Sequence, residues 1–294
     1  GRAYDWYNVG KLRNSGFEFD VNVKIIQKKD WYWDVSINGY TYANKMLNLP
    51  DEYKEAGMPN GNQRIYEGKD IYRWEMRQYA GLDEKGNSLW YMDQDITDSE
   101  GNVVGVEKVT TDKATEATQY LLEKSALPDF TGGLNTTLRW KSLDLTIMAN
   151  FQFGGYGYDY DFSAFSSANF PMNRLKDYAD AWNPETGKGS APIWNTNDSN
   201  INASSDRFLV SNTYFNLRNI TLGYTFPAGW MSKIGIKSAR IYFACDNVFF
   251  ASKRKGYDPR TSMGGQGATI ALNSVDGTYY SPIRTTSVGL NINF

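Results

Sequence analysis

Histidine is absent from the 294 residues. That removes Ser-His-Asp triads, Cys-His nucleophile pairs and histidine metal sites together. A single cysteine, Cys245, leaves no intramolecular disulfide framework and reads as a small apolar residue on a strand. Charge of either sign is not in excess: 31 basic residues face 33 acidic ones, so no strong field favours nucleic acid. No apolar run approaches the roughly 18 residues of a transmembrane helix. The mean hydropathy of −0.56 still allows a membrane barrel, because a polar lumen face dilutes the average. No initiating Met, signal peptide or lipidation cysteine is visible, which gives the expectation of a processed or truncated start.

What the chain has is aromatic residues, 15% of the total with 21 Tyr and 9 Trp. That suits strands, interfacial girdles or sugar-binding surfaces. It also has strict alternation. In the closing stretch Ile283–Phe294, residues Thr286, Val288, Leu290, Ile292 and Phe294 fall on one side and Thr285, Ser287, Gly289, Asn291 and Asn293 on the other. The same period recurs in Phe17–Ile25 against Trp31–Asn38, in Leu134–Trp140 against Leu143–Phe153, and in Thr213–Phe226 and Lys237–Phe250. Seven strands of roughly 11–14 residues result, longer than the usual 5–6 of a globular strand and close to what crosses a tilted bilayer.

The connections alternate in length. Those at 27–30, 141–142 and 227–236 are short; those at 43–127, 154–212 and 251–282 are long. An outer-membrane barrel keeps short turns at the periplasmic end and long loops outside. The apolar sides carry no Asp, Glu or Lys, and only Arg218 if the register of Ile220 extends that far. The polar sides carry Glu18, Asp20, Lys24, Asp34, Arg139, Asp144, Arg240 and Asp246. A basic residue at the bilayer midplane costs roughly 2–4 kcal/mol, and a core between two sheets would reject so many charges. A soluble sandwich with one solvated face remains the competing reading. An odd strand count in a family of even-stranded single-chain barrels predicts an incomplete barrel.

Several blocks carry a resemblance. Asn8-Val9-Gly10-Lys11 with Asn14–Asp20, Leu127–Gly133 and the hairpin after it, Tyr214–Tyr224, Asp246–Phe249, Gly256–Pro259 and Arg284–Phe294 occur in order. Together they resemble the C-terminal half of SusC/RagA-like TonB-dependent transporters. The resemblance implies an all-β fold: an antiparallel transmembrane β-barrel segment, about seven membrane-length strands of a larger, 22-strand-class barrel with long extracellular loops. Residues 1–294 would be the C-terminal part of that barrel, with the plug and the first half supplied elsewhere. It implies a place in the bacterial outer membrane and active import of oligosaccharides or peptides. The implied partners are a SusD-like surface lipoprotein, TonB acting through a plug or N-terminal segment, the remaining barrel segment and surface glycan-processing lipoproteins. No cofactor and no nucleic acid are implied. A passive porin and a secreted carbohydrate-binding β protein are the alternatives.

The candidate site residues lie in the long loops. Tyr156, Tyr158, Trp182 and Trp194 offer faces for sugar rings, and Asp159 and Asn195 offer hydroxyl partners. Phe294 reads as a barrel-assembly signal. Asp159 with Asp161 could in principle serve glycoside hydrolysis, but nothing fixes two carboxylates across a cleft, so no catalytic set is assigned. Asp93–Asp98 lacks the glycine an EF-hand needs at its sixth position and reads as a solvated loop. Gly264–Gly267 lacks the strand–helix context of a phosphate loop and reads as a loop tip. Arg174–Trp182 is expected to form a short helix.

Overall fold

The computed structural model describes residues 10–166, 176–194, 198, 200–253 and 282–294. Seven long strands form one antiparallel sheet: β1 (Lys11–Gln27), β2 (Trp31–Asn48), β3 (Phe130–Trp140), β4 (Leu143–Phe153), β5 (Tyr214–Thr225), β6 (Ser238–Ser252) and β7 (Thr285–Asn293). They pair strictly in sequence order. Short turns join β1 to β2, β3 to β4 and β5 to β6. The β3–β4 turn is two residues long, with Lys141 at φ +52, a left-handed conformation that such a tight turn demands.

The register lines up the alternating residues into rows. Val23, Val35, Thr136, Ile147, Ile220, Cys245 and Thr286 form one continuous row across all seven strands. The next row toward the short turns is Ile26, Trp33, Leu138, Leu145, Leu222, Phe243 and Val288. The intervening row is Lys24, Asp34, Thr137, Thr146, Thr221, Ala244 and Ser287. One face is therefore aliphatic and the other polar over the whole sheet.

Rings of aromatics bound the aliphatic band. At the short-turn end Trp31 stacks on Trp140, with ring centroids 5.7 Å apart. At the long-loop end Phe130 stacks on Phe19, Phe151 and Phe153 at 6.1–6.5 Å, and Phe151 meets Phe153 at a tilt at 5.6 Å. Gly39 makes room for this cluster, since a Cβ there would fall 2.4 Å from the Phe130 ring. The 11 residues of β3 run from one ring to the other. They make ~33 Å of strand at about 3.3 Å per step, or roughly 25 Å of depth after a tilt near 40°, the height of the apolar belt on an outer-membrane barrel.

Nothing among the described residues covers this band. Val288 is 71% exposed and Leu290 59%, so no second sheet packs on them. The wet face carries a bidentate Arg240–Asp144 pair, with nitrogen–oxygen distances of 3.1 and 2.5 Å, and an Arg139 guanidinium 4.1 Å above the Tyr32 ring. No helix among the described residues is long and apolar enough to cross a membrane; the crossing elements are strands.

Four expectations need correction. First, β1 starts at Lys11 and β2 runs to Asn48, so the first long connection begins at 49 rather than 43. This lengthening brings Arg13 and Lys45 onto the outward side, above the upper aromatic ring. Second, β1 bulges between Lys24 and Ile26, and Ile26 replaces Ile25 as the partner of Trp33. Third, Arg218 is skipped by the register on both sides: Leu217 and Asn219 pair with Ala149 and Met148 of β4 and with Phe249 and Asp246 of β6. The bulge returns Leu217 and Phe215 to the apolar rows and leaves Arg218 outside the row-by-row pairing. Fourth, Asp93–Thr97 belongs to a strand, Ser88–Thr97, and only Asp98 turns, accepting the backbone N–H groups of Glu100 and Asn102.

Candidate functional site

Among the described residues, the largest buried apolar cluster sits in the long connections rather than in the sheet. Connection 49–129 folds into two small sheets, one ordered Met58–Asn60, Gln63–Ile65, Arg73–Arg77, Gln119–Ser125, the other Tyr79–Leu82, Ser88–Thr97, Val103–Thr111. In connection 154–213, Tyr156–Tyr158 pairs with Leu209–Ser211. The two connections share one core of Trp74, Met76, Leu122, Ala126, Tyr158, Phe208 and Leu209. Polar bonds cross the same junction: Trp74 Nε1 donates to the Tyr156 carbonyl at 3.0 Å, the Tyr79 N–H to Asp206 at 2.8 Å, and the Ile193 N–H to the Gly86 carbonyl at 2.8 Å. Arg207 lies over the rings of Tyr79, Phe208 and Phe162 at 5.2, 5.3 and 5.9 Å. It also donates to the Ile201 carbonyl and the Tyr178 hydroxyl.

This body folds over the wet side of the sheet. Met46, on the polar side of β2, is buried with Leu49 and Ile65. Asn44, two residues below it, is buried as well. Its amide donates to Asn14 at 2.5 Å and its carbonyl accepts the Ile71 N–H at 3.2 Å.

Where β2 and β3 diverge, the loops and the wall enclose a cleft of about 560 Å³. Gly16, Tyr42 and Asn44 line it from the wall, Asp70, Arg73, Glu123 and Ser125 from the first connection, and Asp129 and Tyr156 from the chain around β3 and β4. Arg73 ties its floor together, donating to Asp70 at 3.2 Å and to Glu123 at 2.5 Å. Partial desolvation works against the Arg73 charge, but the two carboxylates outweigh it and raise its pKa. Its hydrogen bond in turn holds Glu123 below the ordinary carboxylate value. Asp70, Glu123 and Asp129 bring three carboxylates to the cleft against the one cation of Arg73, so it suits a ligand that presents hydroxyl or N–H donors.

The aromatic candidates do not converge. Tyr156 lines the cleft. Tyr158 is 3% exposed in the shared core, its hydroxyl 3.2 Å from that of Ser163. Asp159 caps the helix Tyr160–Phe165, accepting the Phe162 N–H at 2.9 Å. Both build the loop rather than face an opening. Trp182 is half-buried against Gly86, at φ +83, where a Cβ would fall 2.2 Å from the indole. Trp194 is 46% exposed and meets Tyr178 edge-on at 6.3 Å. Asn195, the side chain of Asp161, the block Gly256–Pro259 and the loop Gly264–Gly267 lie outside the described residues. So do Arg174 and Leu175; a 3-10 helix spans Lys176–Asp180 in the segment expected to be helical. Phe294 is 79% exposed, one residue past the end of β7. The charged floor of the cleft was missed. Asp70 and Arg73 are three residues apart, but Glu123 is 50 away, and no local pattern links them.

No family model matches the chain. It is 26% identical to TonB-dependent receptor P3 of Formosa agariphila, over 98% of this chain and 29% of that one. It is 27% identical to TonB-dependent receptor SusC of Bacteroides thetaiotaomicron, over 98% and 27%. Among solved structures, the RagAB peptide transporter superposes with a TM-score of 0.76 at 26% identity, covering 98% of this chain and 30% of that one. The chain is homologous to the SusC/RagA-like TonB-dependent transporters. It spans under a third of the length of these relatives. SusC-like proteins are outer-membrane β-barrels, and the girdled apolar face is where this SusC-like chain meets the bilayer.

Proposed function

We propose that this chain is the C-terminal part of the barrel wall, with its extracellular loops, of an outer-membrane importer. The importer takes up oligosaccharides, is energised by TonB through a plug carried outside these residues, and works beneath a SusD-like lipoprotein. The observation that carries this reading is the asymmetry of the sheet: a bare aliphatic band between two aromatic rings on one face, and loops folded over the polar face. A passive porin shares the band, but the relatives are named as TonB-dependent receptors. The seven-stranded sheet has β1 and β7 at its edges. Such edges require pairing partners, which further barrel strands would supply. Phe294, at the end of the β7 edge, fits an assembly role.

The cleft beside Tyr156 and the exposed Trp194 are the ligand contacts we assign to this segment. Oligosaccharide is favoured by the loop aromatics and the acceptor-rich cleft. Peptide is the second reading, favoured by the likeness to a peptide transporter. The test is uptake by cells carrying the full-length gene, with labelled oligosaccharide and labelled peptide compared, with and without TonB. TonB-dependent accumulation of one class, weakened by Tyr156→Ala, is the expected result. Uptake unchanged on loss of TonB would overturn the importer reading.

A further inference from the structure

The two first strands carry the outward face beyond the upper aromatic ring, and there its chemistry changes. Arg13 of β1 and Lys45 of β2 stand directly opposite one another in the register. Both are exposed. They continue the face that lower down presents Phe17, Val21 and Val23. Like charges opposed on one face of a sheet repel. Neither cation has an ion-pair partner among the described residues. Arg13 is four positions above Phe17, ~13 Å of strand or about 10 Å along the membrane normal after the tilt. Between them lie Ser15 and Ala43, which are too small to block the way down. Long basic side chains reach back toward the interface while keeping their charge in a polar layer, and the headgroup zone begins where the hydrocarbon ends.

We propose that Arg13 and Lys45 form a binding site for the phosphorylated headgroup of an outer-leaflet lipid. A phosphate between the two cations removes their mutual repulsion and supplies a charge-assisted acceptor to each. The site is continuous with the lipid-facing band directly beneath it, so the acyl chains of the same molecule lie along Phe17 and Val21. That continuity selects a lipid over a soluble anion. The outward positions of β1 and β2 carry no carboxylate, whereas the opposite side carries Glu18, Asp20 and Asp34. Arg13 and Lys45 thus have no carboxylate on their own face of these two strands, whereas Lys24, on the opposite face, stands across from Asp34.

The test uses the full-length protein purified in mild detergent. It is incubated with phosphorylated outer-membrane glycolipid from the same cells, or with that glycolipid after enzymatic dephosphorylation, and retained lipid is counted by native mass spectrometry. The double variant Arg13→Gln/Lys45→Gln is expected to retain the phosphorylated lipid roughly tenfold less than the wild type. The exchange Arg13→Lys/Lys45→Arg is expected to retain it as the wild type does. The dephosphorylated lipid is expected to be held weakly by all. A second variant, Ala43→Glu, leaves both cations in place and sets a carboxylate beside them; it is expected to lower retention as well. Heat-modifiable gel migration reports that each barrel has folded. Equal retention by the wild type and both kinds of variant overturns the proposal. So does equal retention of the dephosphorylated lipid, or displacement by millimolar inorganic phosphate, which marks a site for free anions.

Discussion

Replacing Ile147 by arginine puts a charge in the middle of the apolar band. Ile147 lies on the row that runs from Val23 to Thr286, two rows from the Trp140 ring and two from the Phe151 ring. A basic residue at that depth costs about 2–4 kcal/mol in an outer-membrane barrel. At 1.4 kcal/mol per tenfold, the folding equilibrium shifts by roughly 30-fold to 700-fold. Thr146→Arg, one residue earlier, points into the polar row between Thr137 and Thr221. A substitution on the polar face changes stability by about 0.5 kcal/mol or less. The assay is urea titration of the full-length protein folded into lipid vesicles, followed by tryptophan fluorescence and gel migration. The signature is the contrast between two neighbouring positions given the same side chain. A cost for Thr146→Arg equal to or above that for Ile147→Arg would refute the assignment of faces.

Two further perturbations test the loops. Arg207→Ala removes a cation that lies over Tyr79 of the first connection and, within its own connection, over Phe162 and Phe208 while donating to Ile201 and Tyr178; the loss is expected to weaken the loop body by about 2 kcal/mol. Hydrogen exchange in Tyr79–Leu82 and Tyr160–Phe165 should accelerate while β3 and β4 stay protected; acceleration confined to residue 207 itself would contradict the shared core. Tyr120 titrates late, its pKa pushed up to about 12 by desolvation and by its hydrogen bond to Asp93. A raised folded pKa means that the contribution is whole below the ordinary value near 10 and is lost as pH rises through about 12. The phenolate difference spectrum of wild type minus Tyr120→Phe should therefore appear near pH 12, and a midpoint near 10 would show that neither the desolvation nor the bond to Asp93 holds.

The wall was legible because its chemistry is local. A strand facing lipid on one side and water on the other must alternate, so Leu143–Phe153 could be assigned from its residues alone. The alternation failed where a bulge intervened. Arg218 looked like a charge on the lipid side because period 2 was counted through a position that the register skips. The ends of β1 and β2 were hidden for another reason. Above the membrane neither face needs to be apolar, so Lys11–Gly16 and Ala43–Asn48 carry no pattern although they pair throughout except at Leu47, which the register skips. The cleft was not legible. Its floor joins Arg73 to Glu123, and its wall belongs to β1 and β2; only folding brings these together. Aromatic content pointed to Tyr158, but a tyrosine in a loop is as useful for packing as for recognition, and packing claimed it.

The central claim is that the aliphatic side of the sheet faces hydrocarbon and the polar side an aqueous lumen. Spin labels placed singly from Leu143 to Phe153, on a Cys245→Ala background in the full-length protein in lipid vesicles, test it most directly. Accessibility to oxygen should peak at Leu145, Ile147 and Ala149, and accessibility to a water-soluble nickel reagent at Asp144, Thr146 and Met148, the two profiles alternating out of phase. Profiles in phase with each other, or oxygen peaks on the Asp144 side, would contradict it.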